Sequence, residues 1–123
     1  MNTILLIDDE QAIRTVFGTV LRRKGYHVLE ADSGLVGYEL AKAHSPDLII
    51  TDIAMTGGGG EALLFFIKND PQLGKTPVVL MTGNPDLVSP RQGLEAGADD
   101  YLVKPVALDA FIACVEARLK RPE

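Results

Sequence analysis

Apolar residues recur along the chain in two alternating rhythms. Short runs rich in aliphatic and β-branched side chains, TILLI (3–7), HVLEA (27–31), DLIIT (47–51), PVVLM (77–81) and DYLV (100–103), read as strands. Three of them are apolar nearly throughout, which predicts strands covered on both faces, as in a parallel sheet. Between the runs, apolar positions follow helical spacing. Ala12, Ile13, Val16, Phe17, Val20 and Leu21 form one stripe, and Gly25 closes that helix. Asp32 and Ser33 can cap a second helix reaching about His44, which Ser45-Pro46 ends. EALLFFIKN (61–69) forms a third. Ser89 and Pro90 supply the N-cap and first helical position of a short fourth helix stopping at Gly97. Leu108, Phe111, Ile112, Val115 and Leu119 give a fifth helix its buried face.

The order is βαβαβαβαβα. With right-handed crossovers it predicts an α/β fold: a doubly wound, five-stranded parallel sheet with five helices on both faces. No linker or low-complexity segment divides the chain, so one domain is expected over residues 1–123. A chain this long buries roughly two-thirds of its unfolded surface. Residues are 46% apolar and 24% charged, which argues against disorder. The net charge of −5, without a Lys/Arg block, disfavours a nucleic-acid surface, because such binding rests on neutralising phosphates. No run is long enough for a membrane span, and the opening MNTILLIDDE has no signal-peptide pattern. The single Cys114 cannot form an internal disulfide, so a reducing, cytoplasmic setting is expected.

In open α/β sheets, ligands bind beyond the carboxyl ends of the strands. There the sequence places Asp8 and Asp9, followed by Glu10, after the first strand. Asp52 ends the third, Thr82 the fourth, and Lys104-Pro105 follows the fifth. Each residue alone reads as a turn, a cap or a solvated charge. Together they bring carboxylates, an ammonium and a hydroxyl to one rim. Crowded carboxylates raise one another's pKa unless a cation joins them. Mg²⁺ suits such oxygen ligands, since it needs only one or two carboxylates besides water and phosphate.

LLIDDE (5–10), PDLIITDIAM (46–55), PVVLMTG (77–83) and GLEAGADDYLVKP (93–105) stand in an order and spacing that resembles the receiver domain of two-component response regulators. The resemblance runs from about residue 3 to 120. It implies a flavodoxin-like fold with strand order 2-1-3-4-5. It makes Asp52 the phosphoacceptor, taking a phosphoryl group from a histidine kinase or a histidine phosphotransfer protein, a signalling role rather than an enzyme's. Asp8, Asp9, Asp52 and the backbone carbonyl of Ala54 would hold Mg²⁺, the second aspartate of the pair directly and the first often through water. Lys104 would pair with a phosphoryl oxygen, and the Thr82 hydroxyl would bond to the attached group. Thr82 and Tyr101 would act together as the switch, and the Lys104-Pro105 bond would be cis. Alone, Tyr101 reads as an amphipathic ring on an edge strand. By the same resemblance, a downstream protein or a weak homodimer would form on the surface from the fourth helix through the fifth strand to the fifth helix. No output domain is visible, so a stand-alone receiver, monomeric or weakly dimeric, without direct nucleic-acid or membrane contact, is expected.

The chain departs from the family at several positions. Thr56 stands where proline is usual, and Gly59-Gly60 where Asp-Gly is frequent, so the loop reads TGGGG. Val106 replaces a common phenylalanine, and Ala54 and Asn84 occupy positions that tune hydrolysis in the family. The glycine run lacks the Gly-Lys-Ser/Thr ending of a nucleotide-binding loop, and no G-x-G-x-x-G follows the first strand. It reads instead as a lid beside Asp52, offering N–H groups to phosphate. A haloacid-dehalogenase-type phosphatase would need an acid where Ala54 stands. A flavin module would need more aromatic residues near these loops than Tyr101. The remaining alternative is a receiver-like interaction module independent of phosphorylation, against which the set Asp9, Asp52, Thr82 and Lys104 speaks. His27 and His44 read as surface groups and Cys114 as core. LLFFI (63–67) reads as mostly core, with a docking patch the lesser reading.

Overall fold

The computed structural model describes residues 2–53, 60–83, 85–86 and 89–119, the side chains of residues 60 and 61 aside. Its elements are β1 (Thr3–Ile7), α1 (Gln11–Arg23), β2 (His27–Ala31), α2 (Gly34–His44), β3 (Leu48–Asp52), α3 (Gly60–Lys68), β4 (Val78–Thr82), α4 (Pro90–Glu95), β5 (Asp100–Val103) and α5 (Leu108–Leu119). All strand pairs are parallel, and the order is β2-β1-β3-β4-β5. This is the doubly wound sheet that the alternating pattern predicts.

Two strands lie one residue further along than the apolar runs indicate. Thr3 N–H donates to the Asp47 carboxylate and Asp47 N–H to the Thr3 carbonyl, so Asp47 ties the approach to β3 to the start of β1. At the other ends, Asp52 pairs with Met81 and Thr82 with Val103, which carries regular pairing onto two polar residues.

The sheet separates two cores. On one side Leu5, Ile7, Ile49 and Leu80 pack with Ala41 of α2 and Leu63, Leu64 and Ile67 of α3. On the other, Ile4, Leu6, Ile50 and Met81 pack with Phe17 and Leu21 of α1 and Phe111, Cys114 and Val115 of α5. The buried stripe of α1 is narrower than its spacing suggests. Phe17 and Leu21 are buried and Ile13 and Val20 partly so, while Ala12 and Val16 face outward. In α5, Leu108 is likewise exposed. A helix lying on one sheet face buries only the stripe turned toward it. LLFFI obeys the same limit. Leu63, Leu64 and Ile67 are buried, whereas Phe65 and Phe66 are 63% and 57% exposed. Phe66 retains an aromatic neighbour in Tyr38, at 6.3 Å between ring centroids.

Helix ends follow the expected signals. Ser33 accepts the Val36 N–H at the start of α2. Ser89 and Gln92 form a reciprocal capping box at α4, with Pro90 in its first turn. Gly25 and Gly97 have φ of 95° and 110° just past α1 and α4, the left-handed conformation that glycine adopts without penalty. His27 and His44 are exposed, as expected of surface groups. Among the described residues no helix is long and apolar enough to cross a membrane.

One glycine governs how closely a helix approaches the site-bearing strand. A Cβ at Gly37 would lie 2.4 Å from Ile7 Cδ1 and 2.9 Å from its Cγ1, and Ile7 is fully buried one residue before Asp8. Overpacking of this kind costs about 1–3 kcal/mol. The better helix propensity of alanine returns about 1 kcal/mol. Gly37→Ala is therefore expected to lower the urea midpoint. Gly18→Ala, whose new Cβ would meet only the side-chain ends of Arg22 and Glu30 at 3.2 and 3.4 Å, should leave it unchanged or raise it. Equal effects of the two substitutions would show that the Ile7 contact does not limit the packing of α2.

Candidate functional site

Parallel register sets the site. Ile7 pairs with Thr51, Asp52 with Met81, and Thr82 with Val103, so Asp8, Asp52, Thr82 and Lys104 emerge at one edge of the sheet. Main-chain bonds hold that edge: Asp8 N–H donates to the Ala31 carbonyl at 3.0 Å and Lys104 N–H to the Thr82 carbonyl at 2.7 Å. The Lys104-Pro105 peptide bond is cis, as expected.

Carboxylate oxygens of Asp8, Asp9, Glu10 and Asp52 lie within 4.8 Å of one another. Asp8 and Asp52 are buried, Asp9 half-buried and Glu10 exposed. Lys104 is the ammonium among them. Its Nζ donates to Asp8 Oδ2 at 2.8 Å, Asp52 Oδ2 at 3.1 Å and Glu10 Oε1 at 3.1 Å. Burial pushes the Asp8 carboxyl above the ordinary aspartate range, and the charge of Asp52 adds to that push. The bonds from Lys104 and the Glu10 N–H offset only part of it. Burial works to lower the Lys104 ammonium, but its bonds and attraction to Asp8 and Asp52 outweigh burial and hold it protonated. Four carboxylates face one ammonium, which leaves an excess of negative charge in a partly dehydrated space.

Thr82 is fully buried beside this cluster. Tyr101 is half-buried on β5, and its ring lies beside Gly93 of α4, where an added Cβ would come within 3.1 Å of it. Desolvation pushes its phenol above the usual range. The structure thus brings Asp8, Asp9, Asp52, Thr82 and Lys104 to one place and sets Tyr101 on the neighbouring edge strand. Ala54, Asn84 and residues 56–59 of the glycine run lie outside the described residues.

Two contacts escape a reading of strand ends. Glu10 reaches Lys104, and Arg14, one turn later on α1, donates from Nη1 to the Asp8 carbonyl at 2.6 Å. Their i, i+4 spacing would suggest a pair with each other, whereas Arg14 Nε lies 3.4 Å from Glu30 Oε1, so neither contact has a signal in the sequence. Cys114, as expected, is core. Its thiol donates to Asp100 Oδ2 at 3.3 Å, and burial, helped by that carboxylate, pushes it up to about 12.

The response regulator receiver domain family matches residues 4–116. The chain belongs to this family. It is 40% identical, over all 123 of its residues, to the transcriptional regulatory protein AfsQ1 of Streptomyces coelicolor. The chain spans 53% of that regulator's length. Among solved structures, a putative response regulator from Chloroflexus aurantiacus is 31% identical, with a TM-score of 0.90 over 98% of each chain. The receiver domain of the sensor histidine kinase PA1611 from Pseudomonas aeruginosa shares the fold at 24% identity. Its TM-score is 0.86 over 96% of this chain and 97% of that one, and it carries a magnesium ion in its active-site cleft.

Proposed function

We propose that Asp52 accepts a phosphoryl group from a phosphohistidine on a histidine kinase or phosphotransfer protein, and that the charge it gains switches a protein-interaction surface. One observation carries this reading: Lys104 holds the buried carboxylates of Asp52 and Asp8 together at the sheet edge, within a cluster of four acids. A buried acid set of this kind suits a hard divalent cation. Asp8, Asp9 and Asp52 would hold Mg²⁺, with the Ala54 carbonyl as the expected further ligand. When bound, the ion supplies neutralisation of the charge that develops on the transferring group.

The residues themselves account for the rest. An Asp52 carboxylate oxygen attacks phosphorus in line. A P–O bond forms as the P–N bond of the donor breaks, and the donor imidazole keeps the bonding electrons. Such transfer asks mainly for positioning and charge stabilisation. Lys104, already on Asp52, supplies a positive charge beside the new phosphoryl oxygens. Thr82, on the adjoining strand, offers a hydroxyl. The attached group adds about −1.5 to −2 charge and three acceptor oxygens. Movement of Thr82 toward it, with Tyr101 following, would carry the change to the α4-β5-α5 surface.

The test is the intact mass of the protein after incubation with acetyl phosphate. A single phosphoryl adduct is expected with Mg²⁺ and none with a chelator, and peptide fragmentation should place it on Asp52. An adduct on another residue, or no adduct in folded protein with Mg²⁺ present, would overturn the reading in favour of a phosphorylation-independent interaction module.

A further inference from the structure

Lys104 has three N–H donors, and the structure gives all three to carboxylates: Asp8, Asp52 and Glu10. A phosphoryl group on Asp52 takes over that residue's negative charge, so the Asp52 bond passes to a phosphoryl oxygen, and a second phosphoryl oxygen can reach the ammonium only if Asp8 or Glu10 releases it. Burial decides which. The Asp8 side chain is 0% exposed, and releasing it would strand a charge away from water. The Glu10 side chain is 61% exposed and can exchange Lys104 for water at little cost.

The way α1 begins adds a second observation. Glu10 is the N-cap residue of α1, yet its side chain makes no capping bond. N-cap positions favour short side chains that bond back to the first-turn N–H groups. This one extends across the rim to Lys104, while its own N–H donates to Asp8 Oδ1 at 2.9 Å. One residue thus orients Asp8 through its backbone and Lys104 through its carboxylate.

We infer that Glu10 is a releasable tether for Lys104, a positioning residue that holds the ammonium over the acids in the resting protein and yields it to the incoming phosphoryl group. The inference rests on the proposed phosphoacceptor role of Asp52. The tether competes with phosphoryl binding, so cutting it strengthens that binding.

Beryllium fluoride, a tetrahedral stand-in for a phosphoryl group on a carboxylate, is the probe. Its affinity is measured by calorimetry for the wild type, Glu10→Gln and Glu39→Gln, each at saturating Mg²⁺ so that a change in metal affinity does not enter. Glu39 is an exposed acid on α2 and controls for net charge. Removing an exposed ion pair should tighten binding about 1.5- to 5-fold in Glu10→Gln, with no change in Glu39→Gln. The gap should narrow as salt rises, because an exposed pair is screened. Without metal or probe, the ζ-nitrogen NMR signal of Lys104 should shift in Glu10→Gln and stay in place in Glu39→Gln. Glu10→Ala, which forfeits no capping bond, should behave as Glu10→Gln does. A wild type that binds the probe, with Glu10→Gln binding equally or more weakly, overturns the tether and leaves the phosphoacceptor reading standing. An unmoved Lys104 signal also overturns the tether. A wild type that does not bind the probe at all overturns both.

Discussion

An Asp52→Asn variant is expected to take up no phosphoryl group from acetyl phosphate, and to be at least as stable as the wild type. The first half follows from chemistry. The amide has the shape of the carboxylate but no nucleophilic oxygen anion to form the acyl phosphate. The second half follows from the charge count, since one of four crowded negative charges disappears while the amide oxygen still accepts a bond from Lys104. Asp52 is one of the charges that push the Asp8 carboxyl upward, so its removal eases the strain on Asp8 as well. The two halves protect one another. A loss of the adduct together with an unchanged or higher urea midpoint cannot be put down to unfolding. A phosphoryl adduct that persists in Asp52→Asn at the wild-type level would place the acceptor elsewhere in the cluster, with Asp9 the next carboxylate to examine.

How far the sequence discloses this arrangement depends on what each feature is made of. β1, β3 and β4 are legible because burial on both faces leaves mostly apolar side chains, and Leu48–Asp52 and Val78–Thr82 differ from the apolar runs only by a shift of one residue onto a polar end. The site is legible for a topological reason. In a parallel sheet all strand ends that carry ligands fall on one side, so Asp8, Asp9, Asp52, Thr82 and Lys104 are brought together by strand order alone. Features decided by side-chain direction are not legible in this way. Spacing puts Val16 on the apolar stripe of α1, but the approach of Phe17 and Leu21 to the sheet leaves no room for it. LLFFI contains five apolar residues in a row, and a helix on one sheet face buries three. Glu10 is the clearest case. Its position marks it as a helix N-cap, and only the direction of its side chain, across the rim to Lys104, reveals a partner 94 residues away in the chain.

Lys104→Met should show how much of the fold's stability the site consumes. The side chain is 12% exposed and its ammonium is within hydrogen-bonding distance of two buried carboxylates. Removing one partner of a buried charge pair costs about 3–5 kcal/mol, because the other is left uncompensated. The lower end, about 3 kcal/mol at neutral pH without metal, is expected here because Asp8 can take up a proton instead. The pH dependence fixes the cause. The folded Asp8 carboxyl already titrates above its unfolded value of about 3.9, so the stability it contributes is present below that value and lost as pH rises through the folded one. Without the bond and the charge of Lys104, that folded value moves higher still. The deficit of Lys104→Met against wild type should therefore be largest at neutral pH and shrink as pH falls through the folded wild-type Asp8 value, below which Asp8 is protonated in both proteins. Mg²⁺ should reduce it at neutral pH by replacing part of the lost positive charge. Urea unfolding of both proteins across this pH range, with and without Mg²⁺, measures all of these effects. A deficit that ignores both pH and Mg²⁺ would assign the loss to packing of the lysine stem, and the acids would then be no burden on the fold.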